Sequence, residues 1–263
     1  MRAECWRLCV PPRAQLTRQR AFSAFLAGDA LGNVTPFGLL ASEATKVFLT
    51  RHHMATRASV ASLAIENLAY TASVAVMIVV GLLVMLATVP LPGPWRTIVA
   101  AAVLAFAVVM LIVPRVVRIL WSGESRLESR WRDRLALLGD AVSGFSRQRR
   151  ARLTQVFALE LAFHALAVFE MFLTLSWLLG DRRPSLAQAI VFETLNRIVT
   201  VAFKFVPFRI GVDEAFSGAL APLLAVNPAA GVTLAVVRKV RNLFWAAVGL
   251  LLMLKSERLT VNS

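Results

Sequence analysis

The chain has 263 residues, of which 58% are hydrophobic and only 17% charged, with mean hydropathy +0.67. Soluble domains carry about 25% charge, so this composition excludes an ordinary soluble domain and points to lipid. The net charge of +14 comes with no zinc-finger spacing and no glycine-rich phosphate loop, and most of it flanks apolar segments, so nucleic acid is excluded as a partner.

Residues 1–20 hold Arg2, Arg7, Arg13, Arg18 and Arg20 together with Pro11 and Pro12. This stretch lacks the apolar core of a secretory signal and is expected to be a basic arm on the cytoplasmic side. Cys5 and Cys9 lie in it, and cytoplasmic thiols stay reduced. Two cysteines alone do not make a zinc site.

Residues 21–254 read as a single transmembrane domain, followed by a tail over 255–263. Within it, 22–49 is apolar but interrupted by Gly32, Pro36 and Gly38. A basic loop at 51–57 follows, with His52 and His53 in it and no carboxylate partner nearby. Residues 71–91 contain no charge at all, and 97–113 contain none either, the apolar character continuing to 120. Runs of this length match a bilayer core of about 30 Å. The tight turn PGPW over 92–95 joins the two as antiparallel spans, with Trp95 at an interface position.

The polar stretch 122–152 carries eight arginines and is expected to stay in the cytoplasm, as the basic loop at 51–57 is. Both assignments place the turn at Pro92 outside. Residues 153–179 form another long apolar segment, containing Glu160, His164 and Glu170. Glu160 and His164 are four apart on one helical face, where a helix–helix hydrogen bond is the plainer expectation than a metal site. A return helix over 185–206 opens at Pro184 and Ser185, breaks at Pro207, and carries Glu193, Asn196 and Arg197 on one side. The element 210–226 is interrupted again, by Gly211, Gly218 and Pro222. A last span covers 228–254, with Arg238, Lys239 and Arg241 in its first half. The total is four or five full spans plus two shorter broken elements.

Those two broken elements share a short sequence. TPFGLLASEA occupies 35–44 and VPFRIGVDEA occupies 206–215, 171 residues later, with proline, phenylalanine, glutamate and alanine in register. A helix-breaking proline followed seven residues on by a carboxylate, in both halves, is the pattern of discontinuous helices around a transport site. Broken backbone at membrane depth survives only where protein or a watery cavity satisfies it. Two re-entrant helical elements in an inverted pseudo-repeat meet that demand. The helix after each proline is expected to start near Ser42 or Asp213, both good capping residues followed by Glu.

The same residues resemble a known family. GDALGN over 28–33, TPFG over 35–38 and SEATK over 42–46 are similar to the first signature of the lysylphosphatidylglycerol synthase transmembrane region, roughly GEAxN, then TP, then GE and a basic residue. The second copy resembles that family's later PxxxGxxE element, and the likeness runs over 21–254. It departs at Asp29, where glutamate is common, and at Ala41 and Ser42, which stand for glycines. Relatives often have a further helix before the first signature, where this chain has only the basic arm. The resemblance implies an all-α polytopic membrane protein, a flippase-like mover of lipid between leaflets in the bacterial inner membrane. With no synthetase domain after Ser263, it implies a non-enzymatic, stand-alone member. The matching residues are Asn33, Pro36, Glu43 and Lys46 in the first element and Pro207, Gly211 and Glu214 in the second.

Weighed on chemistry alone, ionisable groups inside spans face protein or a water-filled cavity. Glu43 and Lys46 are three apart and share a helical face; Glu214 has Arg209 nearby across its turn. Arginine or lysine suits a phosphate, and a carboxylate suits an ammonium. The expectation is that Asn33, Glu43, Lys46, Glu193, Arg197, Arg209 and Glu214 line one polar path. Pro36, Gly38, Pro207 and Gly211 shape its backbone. The bland reading makes the same charges internal salt bridges that fix packing, with Arg238 and Arg241 reaching a headgroup layer. No metal, cofactor or nucleophile–base pair is expected. Membrane lipids are the expected partners, anionic headgroups among them, with a second copy or a lipid-synthesis protein left open. Three function classes remain: a lipid transporter, an accessory subunit of lipid or envelope synthesis, and a membrane-embedded lipid-modifying enzyme.

Overall fold

A computed structural model describes residues 1–122 and 150–261, apart from Arg13, Gln15, Phe37 and Asp181. The arginine-rich stretch at 122–152 lies almost wholly outside the described residues. Those described are helical throughout, with no strand: α1 (Arg2–Cys9), α2 (Arg18–Val34), α3 (Gly38–Thr50), α4 (Thr56–Thr88), α5 (Gly93–Ser122), α6 (Arg150–Leu178), α7 (Leu186–Ala202), α8 (Val212–Leu220) and α9 (Pro228–Val261). Short 3₁₀ turns at Pro207–Arg209 and Ala221–Leu224 flank α8. Among them α4 and α6 are long and apolar enough to cross a membrane. α4 holds most of the uncharged run at 71–91, and α6 holds the apolar segment expected over 153–179.

Residues 2–9 belong to the expected basic arm, yet Cys5 and Trp6 are fully buried and Cys9 and Val10 nearly so. Trp6 brings its apolar ring into a cluster with Leu16, Ala21, Phe25, Met54 and Leu63. Its indole N–H donates to Ser62 Oγ at 2.9 Å, which satisfies the one polar atom that burial would strand.

Around the first proline the chain makes a tight helical hairpin. Thr17 caps α2, and α2 and α3 run antiparallel about the turn at Thr35 and Pro36. Glycine allows the contact: a Cβ at Gly32 would sit 2.6 Å from the Gly38 carbonyl oxygen, and one at Gly28 would sit 2.7 Å from that of Ser42. The helix after the proline starts at Gly38, four residues before the expected cap. Ser42 lies inside α3 and donates its hydroxyl to Asp29 Oδ1 at 3.2 Å. Packing of small residues made an earlier start cheaper than a side-chain cap.

The second hairpin is α7 and α8. Ser185 and Gln188 cap each other's backbone at the start of α7, as Pro184 and Ser185 suggested. Here the helix after the proline begins at Val212, next to the expected Asp213. The intervening loop holds Phe208 at φ 48°, Arg209 at φ 47° and Gly211 at φ 82°. Two successive left-handed non-glycine residues cost about 1–3 kcal/mol each. They are held by Arg209 paired to Asp213 at 3.0 Å and by Lys239, which donates to the Arg209 carbonyl at 3.0 Å.

The hairpins are rooted at opposite ends of α4. Thr50, ending the first, meets Ser59 at the start of α4, with 3.3 Å between hydroxyls. α7 runs antiparallel to α4: its Thr194 touches Gly81, while Thr200 and Lys204 border the same cavity as Thr71 and Val74. Gln188 at its root donates to the Leu224 carbonyl beyond α8 at 2.6 Å. Where the hairpins point toward each other they touch, a Cβ at Gly38 lying 3.8 Å from the Lys204 carbonyl oxygen. α9 then packs on both, through Gly249 against Leu26 and Ala30 of α2 and through Gly231 against Ser217 and Ala221 of the second hairpin.

Candidate functional site

Two cavities of about 590 Å³ each lie where the hairpins meet. Small-molecule sites usually fall between about 300 and 1,000 Å³. Asp29, Asn33, Thr200 and Arg209 border both, so the facing hairpins form the wall between them. The first cavity extends along Phe163, Asn196, Arg197, Arg238, Lys239 and Asn242. The second extends along Arg2, Ser42, Glu43, Lys46, Tyr70 and Lys204.

The expected residues are therefore divided rather than gathered in one path. Glu43 and Lys46 border the second cavity, Arg197 the first, and Asn33 and Arg209 both. Glu193 and Glu214 border neither and stand behind the cations that do. Of the motif residues, Gly38 borders the second cavity, and Pro36, Pro207 and Gly211 are exposed in the turns they make.

Each repeat carboxylate holds a lysine, and each lysine is shared by two carboxylates. In the first hairpin Lys46, almost fully buried, sits 3.2 Å from Asp29 and 3.1 Å from Glu43, with its ammonium 3.8 Å from the Phe25 ring centroid. In the second, Lys239 sits 2.5 Å from Glu214 and 3.9 Å from Asp213. Arg209, expected near Glu214 across the turn, pairs with Asp213. Glu214 is occupied twice: besides Lys239, its Oε2 accepts the Gly211 N–H at 2.9 Å, closing the first turn of α8.

Glu193 is fully buried and faces two guanidiniums, Arg197 at 2.8 Å and Arg238 at 2.7 Å. Arg238 was expected to reach a headgroup layer; it is held inside by this carboxylate instead. Arg241 pairs with Glu170. Arg197 also donates to the Tyr70 hydroxyl at 3.2 Å. A second buried pair joins Arg2 to Glu66 at 2.8 Å, with Arg2 3.8 Å from the Tyr70 ring centroid. His164 shares a hydrogen bond with Ser73 at 3.0 Å, the helix–helix bond that was the plainer reading. Among the described residues no three His, Cys, Asp or Glu side chains gather as metal ligands.

Sequence reasoning left out Arg2, Asp29, Glu66, Arg238 and Lys239. Lys239 and Arg238 carried a signal, being a basic pair inside an apolar helix, but their partners lie 25 to 45 residues away. Arg2 carried none, because nothing local separates a buried arginine from one in a basic arm. Outside the spans, Glu4 is held below the usual carboxylate range by its hydrogen bond to Arg7, and burial pushes the Cys9 thiol up to about 12.

Helices throughout the described chain, two of them long and apolar enough to cross a membrane, are consistent with a multi-pass helical membrane protein. The chain belongs to the lysylphosphatidylglycerol synthase transmembrane-region family, whose profile matches residues 1–249. The match reaches back through α1, further than the 21–254 of the motif resemblance. No curated protein and no solved structure matches the chain. Family membership supports a general role in lipid transport, and a match to the transmembrane region is consistent with a non-catalytic one.

Proposed function

We propose that this protein carries a phospholipid, an aminoacylated lipid or a hopanoid-type lipid between the leaflets of a bacterial inner membrane, through the two cavities. The carrying observation is the duplicated clasp: Lys46 between Asp29 and Glu43, and Lys239 between Asp213 and Glu214, one beside each hairpin. In this reading the hairpins are inverted re-entrant elements, and 21–254 is the transmembrane unit. Asn33, Glu43, Lys46, Arg197 and Arg209 meet the headgroup as it passes. Glu193 and Glu214 set the charge of the cations in front of them. Acyl chains stay in lipid along the apolar outer faces of the helices.

One observation favours an accessory role in lipid or envelope synthesis instead. Arg2, Lys46, Arg197, Arg209, Arg238, Lys239 and Arg241 each face a carboxylate of this chain, as purely structural pairs would. Leaflet exchange of labelled lipids in proteoliposomes separates the readings. The wild-type protein is expected to exchange at least one of an anionic, aminoacylated and hopanoid-type panel. The Glu43→Gln/Glu214→Gln protein is expected to lose that exchange while remaining folded. Full exchange by the double variant would sink the assignment of the clasps, and no exchange by folded wild-type protein would favour the accessory role.

A further inference from the structure

Tyr70 is the single tyrosine of the chain, and it touches a cation of each cavity. On the side of the second cavity, its ring carries the Arg2 guanidinium at 3.8 Å, and Arg2 is held from behind by the buried Glu66. On the side of the first, its hydroxyl accepts from Arg197 Nη1 at 3.2 Å. Glu193 faces both Arg197 and Arg238, so one carboxylate answers two guanidiniums and this triad keeps one positive charge in excess.

An anionic group entering the first cavity is drawn to that excess. An anion gripped by two parallel N–H bonds that include Nη1 draws Arg197 away from the phenol. The freed hydroxyl alters the ring that carries Arg2, because a phenol's face and its O–H belong to one π system and one rigid group. We propose that Tyr70 is a positioning residue that couples the cavities: an anion held by Arg197 in the first changes the hold on Arg2 in the second. By linkage the reverse must hold with the same factor. The inference rests on the reading that a headgroup passes through these cavities.

The alternative is that Tyr70 only fills space between α4 and its neighbours. Tyr70→Phe separates the two, since it keeps the ring and its packing and removes the hydroxyl. The test is a double-variant cycle on the full chain in nanodiscs of zwitterionic lipid, titrated calorimetrically with short-chain phosphatidic acid. Arg2→Lys keeps a charge opposite Glu66 and loses the planar stack. It is expected to shift the affinity by about tenfold in the wild-type background, the scale of one hydrogen bond to a charged group, and by less than about twofold in Tyr70→Phe. Equal shifts in both backgrounds, or none in either, overturn the proposal. A second readout uses 3-fluorotyrosine, which gives one ¹⁹F resonance here. That resonance is expected to move on titration of the wild type and to stay in place in Arg197→Gln; a stationary wild-type resonance overturns the proposal as well. Wild-type protein that exchanges no lipid in proteoliposomes removes the translocation reading alone, and the cycle still decides the coupling.

Discussion

Single side chains in this protein differ sharply in what their charge is worth. Glu193 has no solvent exposure and answers Arg197 and Arg238 together. Glu193→Gln leaves two buried guanidiniums without a counter-charge, and breaking a buried pair costs about 3–5 kcal/mol. A marked fall in the thermal midpoint of the detergent-solubilised protein is the expected result. Arg241→Gln removes a pair whose partners are each more than a third exposed, so it should cost under about 1 kcal/mol in the same melt. The cysteines make a second contrast with their surroundings. Burial pushes the Cys9 thiol up to about 12 and moves Cys5 in the same direction, so neither supplies thiolate near pH 8. Maleimide should leave the native protein unmodified and take up two equivalents only after denaturation.

At the scale of elements, close approach through glycine decides the packing. A Cβ at Gly81 would lie 1.8 Å from Thr194 Oγ1, and Thr194 is a buried, β-branched neighbour with no room to turn. Gly81→Ala is expected to lower stability by about 1–3 kcal/mol through overpacking of α4 against α7. Gly93→Ala, where a Cβ meets nothing within 4 Å, should melt within about 0.5 kcal/mol of wild type. Thermal melts of the two variants side by side would test whether α4 and α7 are as tightly packed as this. Much at this scale was legible from sequence. The uncharged runs gave α4 and the start of α5, and the apolar segment with Glu160, His164 and Glu170 gave α6. The duplicated proline gave both hairpin turns. The start of α3 was not legible, because capping chemistry at Ser42 is local whereas the glycine contacts that favour Gly38 lie across the hairpin. Nor was α1, whose burial depends on Ser62 and Glu66 more than fifty residues on.

For the whole molecule, the decisive feature is that the two hairpins root at opposite ends of α4 and meet between two cavities. A 33-residue α4 is about 50 Å long, enough to cross a bilayer with turns to spare. The loop at His53 and the turn at Trp95 stand at its two ends. In sealed vesicles, His53→Cys and Trp95→Cys should therefore take an impermeant maleimide from opposite faces, against a low background from the buried native thiols. Labelling of both from the same face would contradict a membrane-crossing α4.

What the sequence determined by itself is a matter of composition and local pattern: a helical membrane protein, the place of its long apolar helices, two proline-broken elements, and their family resemblance. Hydropathy and helix breaking act over a few turns of chain, so they are written where they act. Only the tertiary structure decided which charge answers which. It gave Glu214 to Lys239 rather than to Arg209, turned Arg238 inward to Glu193, brought Arg2 from the chain's start onto Tyr70, and divided one expected path into two cavities. A buried charge takes the partner that packing brings within about 3 Å, and Coulomb attraction there outweighs any nearer position along the sequence.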